Sequence, residues 1–546
     1  MRQYLWIGAA LGLLVLSASK TPLHAQEAPN IVLFLVDDMG WNDTSVEFAP
    51  TRSVWNDLYA TPNMQRLADQ GMKFTNAYSA SPVCSPTRAS IMTGMNPGRS
   101  RISDWVRQTG GGGNANTYVR SPSWKSQGIQ PGDGITTLPT VLKANGYRTA
   151  HVGKAHFGSR NVQGGNDPTN VGFDINIGGS EIGGPFSYFS PWISNPSLYP
   201  NLSQYGSGQY ITDVLTVEAN QIINDAVNDS TPFFINMAHY AVHAPIGGQG
   251  DPDFLPAYQN ANRPNPEDDY AAMLESMDAS LGAILDNLEQ QGVADNTIVM
   301  FMSDNGGLSN HTRNFGGTQT VQTLGGDNLS VSFQRDKHNL PINSGKGSGY
   351  EGGIRVPMIV AWAGQESGQS PINPSLPIVP GSTSAVPVIS DDFFPTILNM
   401  ARVQNITQYT EDGQGNRIID GENLTPVLRG DAFTRDDAIY IHYPHQWYQN
   451  IGVGEGIEPF TAIRDGDWKA IYFYGDGIAD GNGSDPRWEL YNLVDDLGEQ
   501  NNLIVDESAV ASVMRDKLHR GKIPLDFRQI YFRSCLKAIP MNRASR

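Results

Sequence analysis

Cysteine is nearly missing from this chain: Cys84 and Cys535 are the only two in 546 residues. At most one disulfide can form, which excludes a disulfide-stapled scaffold. If either cysteine has a chemical role, no bridge remains. Basic residues are also in deficit. Lys and Arg number 37 against 55 Asp and Glu, a formal net charge of −18. A nucleic-acid partner needs a basic footprint, so none is expected. A local cationic pocket for a small anion stays open. Gly (58) and Pro (35) are plentiful but follow no triplet period, which excludes collagen and points to a loop-rich globular chain. Disorder is excluded by length and by a hydrophobic content of 39%.

Long apolar runs are missing too. Residues 5–16 are apolar but too short to span a bilayer. Arg2 precedes them, polar Ser19, Lys20 and Thr21 follow, and Ala25 suits the last position before cleavage. That three-part order predicts a signal peptide over 1–25. The mature protein is therefore expected to be secreted or periplasmic, with no membrane association after signal cleavage.

The rest of the chain alternates. Apolar runs at 31–36, 147–152, 232–237, 297–302, 356–362 and 386–389 read as buried strands. Helical patterns stand between them, at 137–145, 211–228, 268–290 and 392–402. Another helix opens at Thr61-Pro62 and runs to Gly71. The class expected is α/β, a large mixed but mostly parallel sheet sandwiched by helices. After about residue 430 the pattern changes to short strands at 438–443, 461–464, 468–474 and 489–492, with a helix near 507–519. The expected division is a catalytic α/β domain over 26–430 and a C-terminal subdomain over 431–546 with a small antiparallel sheet.

Chemistry-bearing residues cluster where ligands bind in open α/β sheets, just past the carboxyl ends of strands. Asp37-Asp38 ends the first strand. Adjacent carboxylates repel, so the pair suits a hard cation, although alone it reads equally as a solvated turn. Asp304 and Asn305, in Ser303-Asp304-Asn305-Gly306-Gly307, add two more oxygen ligands. Such a donor set favours Ca²⁺ or Mg²⁺, and no Cys/His cluster has zinc spacing. In Pro82-Val83-Cys84-Ser85-Pro86-Thr87-Arg88 a helix is expected to open at the cysteine. Free N–H groups and the helix dipole favour an anion there, and Arg88 adds a permanent cation. A thiolate of depressed pKa could act as nucleophile, whereas a lone cysteine is more often a small core residue. Lys154 and His156 lie two apart past a strand, His239 and His243 follow the strand 232–237, and Lys346 sits in a Gly-rich run. Each Lys singly reads as a surface charge; together with a metal they form a pocket for an oxyanion.

Cys84-Ser85-Pro86-Thr87-Arg88 matches C-x-P-x-R, and the chain resembles the type I sulfatases of the alkaline phosphatase superfamily. The resemblance extends in order through 30–41, 81–94, 153–156, His243-Ala244-Pro245, 303–307 and 345–357. Within that family the chain resembles bacterial secreted carbohydrate sulfatases and arylsulfatase A-like enzymes. It implies that a formylglycine-generating maturation enzyme converts Cys84 to Cα-formylglycine. It implies Ca²⁺, with Mg²⁺ as the alternative, held by Asp37, Asp38, Asp304, Asn305 and residue 84. Residue 84, as an aldehyde hydrate, would attack sulfur, with Arg88, Lys154 and Lys346 stabilising the sulfate oxygens. His243, favoured over His239 by the family pattern, would protonate the leaving alcohol, alone or with Lys346. His156 would help release sulfate. One departure stands out: many relatives carry an Arg before the Gly-x-Lys of Lys346, and this chain has Leu340-Pro341-Ile342-Asn343-Ser344.

The expected substrate is a sulfated glycan, either poly- or oligosaccharide. Seven aromatics within 184–210 (Phe186, Tyr188, Phe189, Trp192, Tyr199, Tyr205 and Tyr210) read as a sugar-stacking loop or as the loop's own core. Arg313, Arg335, Lys337 and His338 read as contacts to further anionic groups or as solvated charges. Rival functions are a formylglycine-dependent phosphonate monoester hydrolase or phosphodiesterase, and a non-catalytic glycan-binding protein. A metal-dependent phosphatase would need Ser or Thr as nucleophile.

Overall fold

The run 31–36 forms β1, Asn30–Val36, buried along its whole length. Its side chains alternate between two cores. Ile31, Leu33 and Leu35 face one, and Val32, Phe34 and Val36 face the other, which is why the run has no polar position. The computed structural model describes residues 28–520, apart from 107–123, 161–163, 193–195, 260–266, 309–317, 323–327, 333–338, 446, 448–455 and 475–485. The signal-peptide segment, Cys535, Arg313, Arg335, Lys337 and His338 lie outside the described residues. Among the described residues, no helix is long and apolar enough to cross a membrane.

The main sheet adds β2 (Gly71–Phe74), β3 (Arg148–Gly153), β4 (Ile175–Ile177), β5 (Phe233–Ala238), β6 (Thr297–Ser303), β7 (Met358–Trp362) and β8 (Ser382–Ser384). Its order is β8-β2-β7-β6-β1-β5-β3-β4. β7 runs antiparallel to β2 and β6, and the remaining neighbours are parallel. Helices cover both faces. α1 (Pro62–Gln70), α4 (Ile211–Asn228) and α5 (Glu267–Gln290) pack on the face of Val32 and Phe34. α2 (Cys84–Thr93), α3 (Leu138–Ala144) and α6 (Phe393–Met400) pack on the other. α4 shows why: Ile211, Val214, Leu215, Ala219, Ile222 and Ile223 repeat at three- and four-residue steps and are buried.

A second sheet follows, with β9 (Ile439–Tyr443), β10 (Phe460–Asp465), β11 (Trp468–Phe473) and β12 (Arg487–Asn492) in sequential antiparallel order. One face, including Ile439, Ile441, Phe460 and Phe473, packs on Tyr78, Val83 and Ile354 of the large unit. The other takes Ala511, Met514 and Leu518 of α7 (Ser508–Arg520). Buried Lys469 of β11 ties the small sheet to the large unit, its Nζ 2.9 Å from Glu351 of the short helix Glu351–Ile354 and 2.7 Å from Glu499.

One expectation is corrected and one open alternative is decided. The run 386–389 is not a strand of the main sheet. Only Val388–Ile389 is extended, paired with Ala77–Tyr78 in a separate two-stranded ribbon. The aromatics of 184–210 do not form an open stacking surface either. Tyr188, Trp192, Tyr199 and Tyr210 are buried in the core, with Tyr188 stacked on Tyr210 at 5.7 Å, and of the group only Phe186 is largely exposed, at 51%. The rings join the core on the Val32 and Phe34 face of the sheet and anchor the loop there.

Candidate active site

Asp37 and Asp38 leave the carboxyl end of β1 and are buried, not solvated. The chain turns there with Asp38 in the left-handed region, φ 66°, a cost commonly met at functional sites. Asp304 leaves the adjacent β6, its N–H donating to Val36 O at 2.9 Å. Register between β1 and β6 thus brings the four oxygen-bearing side chains together. Each aspartate shares one oxygen with a cation. Lys154 Nζ reaches Asp37 Oδ2 at 2.6 Å, Lys346 Nζ bonds Asp38 Oδ1, and Arg88 Nε reaches Asp304 Oδ2 at 2.7 Å. Asp37 Oδ1, Asp38 Oδ2 and Asn305 Oδ1 are buried without a hydrogen-bond partner. An orphaned buried acceptor costs about 1–3 kcal/mol, so three at one place fit an oxygen-coordinated divalent cation. Ligand atoms of Asp37, Cys84 and Asp304 lie within 4.8 Å of one another, as do those of Asp37, Asp38 and His243.

Cys84 opens α2, and every residue of that helix is buried. No side chain caps its first turn, and Val83 before it is extended. Ser85 Oγ accepts from Val106 N–H at 2.8 Å, and Arg88 Nη1 donates to Lys154 O at 2.6 Å, so the guanidinium is locked. Lys346 Nζ lies 3.9 Å from Cys84 Sγ. A depressed thiol pKa is not found. Burial pushes the Cys84 thiol up, although Lys154 and Lys346 pull the other way. A thiolate nucleophile is therefore disfavoured in this setting.

Burial, then the charge of Asp304, pushes Asp37 well above the usual carboxylate range. Burial acts on Asp38 in the same sense, but Lys346, His243 and Lys154 together outweigh it and hold Asp38 low. A cation among them favours the ionised form of all three acids.

The histidines separate cleanly. His239 turns into the core, 3.0 Å from Ser280 Oγ and 5.0 Å from the Phe34 ring centre. His243 lies at the site, Nε2 3.6 Å from Asp38 Oδ2. Its Nδ1 is 2.7 Å from Ala244 O, so Nδ1 carries the proton and Nε2 the lone pair. His156 Nε2 donates to Val106 O at 2.8 Å, and its Nδ1 is buried without a partner. Burial pushes both down, His243 to about 3 and His156 well below its ordinary value, with Lys346 and Lys154 among the further causes. Glycines let the 180s loop close over them. A Cβ at Gly184 would stand 2.4 Å from His243 Nδ1, and one at Gly183 would stand 2.9 Å from His156 Cε1.

Cys84, Asp38, His156, His243 and Lys346 line one cavity of about 300 Å³. Trp105 and Trp447 line it too, and neither was singled out from the sequence. The one available signal was proximity of an isolated Trp to a motif, which is weak. Trp447 becomes a neighbour only because β9 docks beside α2.

The family model described as Sulfatase matches residues 29–403. The chain belongs to the sulfatase family. It is an enzyme, a sulfuric ester hydrolase, which removes the purely glycan-binding alternative. A sulfatase of Formosa agariphila is 26% identical, over 91% of this chain and 88% of that protein. The N-acetylgalactosamine-6-sulfatase of Mus musculus is 30% identical, over 80% of this chain and 71% of that protein. The crystal structure of Ps i-CgsB superposes with a TM-score of 0.65 at 25% identity, covering 94% and 98% of the two chains. The sheet order and the separate small sheet place this sulfatase in the alkaline phosphatase-like fold.

Proposed function

We propose that this enzyme releases inorganic sulfate from a sulfated poly- or oligosaccharide, using Cys84 matured to Cα-formylglycine and a bound divalent cation. The reading is carried by one observation: three orphaned buried oxygens, of Asp37, Asp38 and Asn305, converge beside Cys84, Arg88, Lys154 and Lys346. All the donors are hard oxygens, which favours Ca²⁺, with Mg²⁺ as the alternative. Asp37, Asp38, Asp304, Asn305 and residue 84 would hold it, and when bound it draws charge from a sulfate oxygen. Maturation of Cys84 supplies an aldehyde hydrate, with one hydroxyl to act as nucleophile and a second whose deprotonation frees sulfate.

The chain's own groups then have distinct tasks. Arg88, locked by Asp304 and Lys154 O, keeps permanent positive charge beside the sulfate position, and Lys154 Nζ stands with it on Asp37. Lys346, held charged by Asp38, carries a proton toward the leaving oxygen. His243 is neutral in the free site because burial and its cationic neighbours disfavour its charge. An anionic ester offsets those cations and so raises the proton affinity of His243 Nε2, which in this reading shares general-acid duty with Lys346. His156 offers an unpartnered Nδ1 lone pair as base for the second hydroxyl.

A carbohydrate leaving group is favoured by the N-acetylgalactosamine-6-sulfatase relative. The same reading assigns 1–25 to a cleaved leader, 26–430 to the catalytic unit and 431–546 to the subdomain, in a secreted or periplasmic protein matured by a formylglycine-generating enzyme. Enzyme co-expressed with such a maturation enzyme and supplied with Ca²⁺ should release free sulfate from sulfated oligosaccharides. Faster hydrolysis of phosphonate monoesters by the same preparation would overturn the assignment.

A further inference from the structure

Two half-buried indoles, Trp105 and Trp447, share the reaction cavity with Cys84, His243 and Lys346. They arrive from different parts of the chain. Trp105 lies on the segment after α2, and Trp447 lies four residues beyond β9 of the small sheet. Each is held against the catalytic groups. The Lys346 ammonium stands 5.6 Å from the Trp447 ring centre, within cation–π range. Gly347 has φ 87°, and a Cβ there would lie 2.5 Å from Trp447 Cε3, so the indole rests directly on that backbone. Next to Trp105, Val106 donates to Ser85 Oγ through its N–H and accepts from His156 through its carbonyl.

A buried polar cluster fastens the two indole-bearing segments to each other. Ser103 Oγ lies 3.0 Å from His445 Nε2, Tyr443 OH donates to Asp104 Oδ1 at 3.1 Å, and His445 Nδ1 is 3.8 Å from Asp104 Oδ2. Ser103, Asp104 and His445 are all buried. Trp105 follows Asp104 directly, and Trp447 follows His445 by two residues. The cluster is too enclosed to meet substrate, and none of its members lines the reaction cavity.

We infer that Trp105 and Trp447 form the subsite for the sugar ring that carries the sulfate, and that Ser103, Asp104, Tyr443 and His445 are positioning residues for that subsite. This rests on the carbohydrate sulfatase reading given above. The ionic groups of the cavity are committed to the sulfate end. The indoles offer the rigid apolar surface that the C–H face of a pyranose requires. The small sheet thereby contributes directly to substrate choice.

The test uses the full-length matured enzyme with Ca²⁺. Binding of sulfated oligosaccharides from carrageenan, chondroitin sulfate and fucoidan hydrolysates is measured by calorimetry, and turnover of methyl sulfate, which has no ring, is measured alongside. Trp105→Ala and Trp447→Ala should each weaken the bound oligosaccharide by about tenfold or more, equivalent to about 1.4 kcal/mol. Trp447→Phe should recover most of the affinity. His445→Ala should raise KM for the sugar without a matching fall in kcat, and its turnover of methyl sulfate should stay within about twofold of wild type. Unchanged sugar affinity in both Trp→Ala variants would overturn the inference, as would a wild type that hydrolyses methyl sulfate but binds none of the sugars. Wild type that hydrolyses no sulfate ester at all would instead sink the functional reading beneath it.

Discussion

The floor and the mouth of the reaction cavity are built by different rules. On the floor, Asp37, Asp304, Lys154 and Arg88 are buried, and each is ion-paired with another of the four. The positions of Asp37, Asp304 and Lys154 follow from strand register, since β1 and β6 are neighbours and β5 alone separates β1 from β3, and Arg88 reaches them from α2. At the mouth, Trp105 and Trp447 are half-buried and depend on loop segments and on docking of the small sheet. The difference teaches that charge placement for chemistry is fixed by the most rigid part of the fold, while ring recognition is left to segments that can vary. Floor changes should therefore strike kcat and stability, and mouth changes should strike KM.

The sharpest break comes at residue 84. Cys84→Ala should lower turnover by about 10⁴-fold or more while the thermal midpoint stays near wild type. Retained activity would show that the floor chemistry does not pass through this residue. Arg88→Ala comes next. It should cost about 10²–10³-fold in kcat, as for other lost oxyanion donors. It should also destabilise the fold by about 3–5 kcal/mol, because the buried Asp304 and Asp37 carboxyls lose their guanidinium partner. Urea unfolding and steady-state kinetics on one preparation separate the two effects.

Gly184→Ala tests how tightly the mouth loop abuts the floor. Its Cβ would collide with His243, so kcat should fall about tenfold to a hundredfold with little change in stability. The smallest effect concerns pH. Asp37 sits above the usual carboxylate range through burial and then the charge of Asp304. A raised carboxyl contributes stability that is full below its unfolded value and is lost as pH rises through the folded value. With chelator present, wild type should lose stability relative to Asp37→Asn as pH climbs through that range. Saturating Ca²⁺ should reverse the order, and thermal denaturation in chelator and in Ca²⁺ reads both.

Sequence and structure agree best where backbone register decides. Continuous apolar runs announced β1, β5 and β6, and the Asp-Asp and Asp-Asn pairs at the ends of β1 and β6 marked the oxygen-rich site before any geometry was known. The helix opening at Cys84 was legible from Pro86 and from Ala89, Ile91 and Met92 after it. Short edge strands were not: β2, β4 and β8 have four, three and three residues, too few to set a period. The aromatic loop stayed open between two readings because composition cannot tell a stacking surface from rings that bury in the core. Trp105 and Trp447 were invisible for a related reason. They meet across some 340 residues of chain, through the contacts of Ser103 and Tyr443 with His445 and Asp104. The thiol was read as activatable from its helix position, and burial reverses that tendency.

The most direct test of the central claim is the mass of the peptide containing residue 84, taken from a preparation that is releasing sulfate. The account predicts an aldehyde in place of the thiol. An intact thiol in fully active enzyme would contradict it.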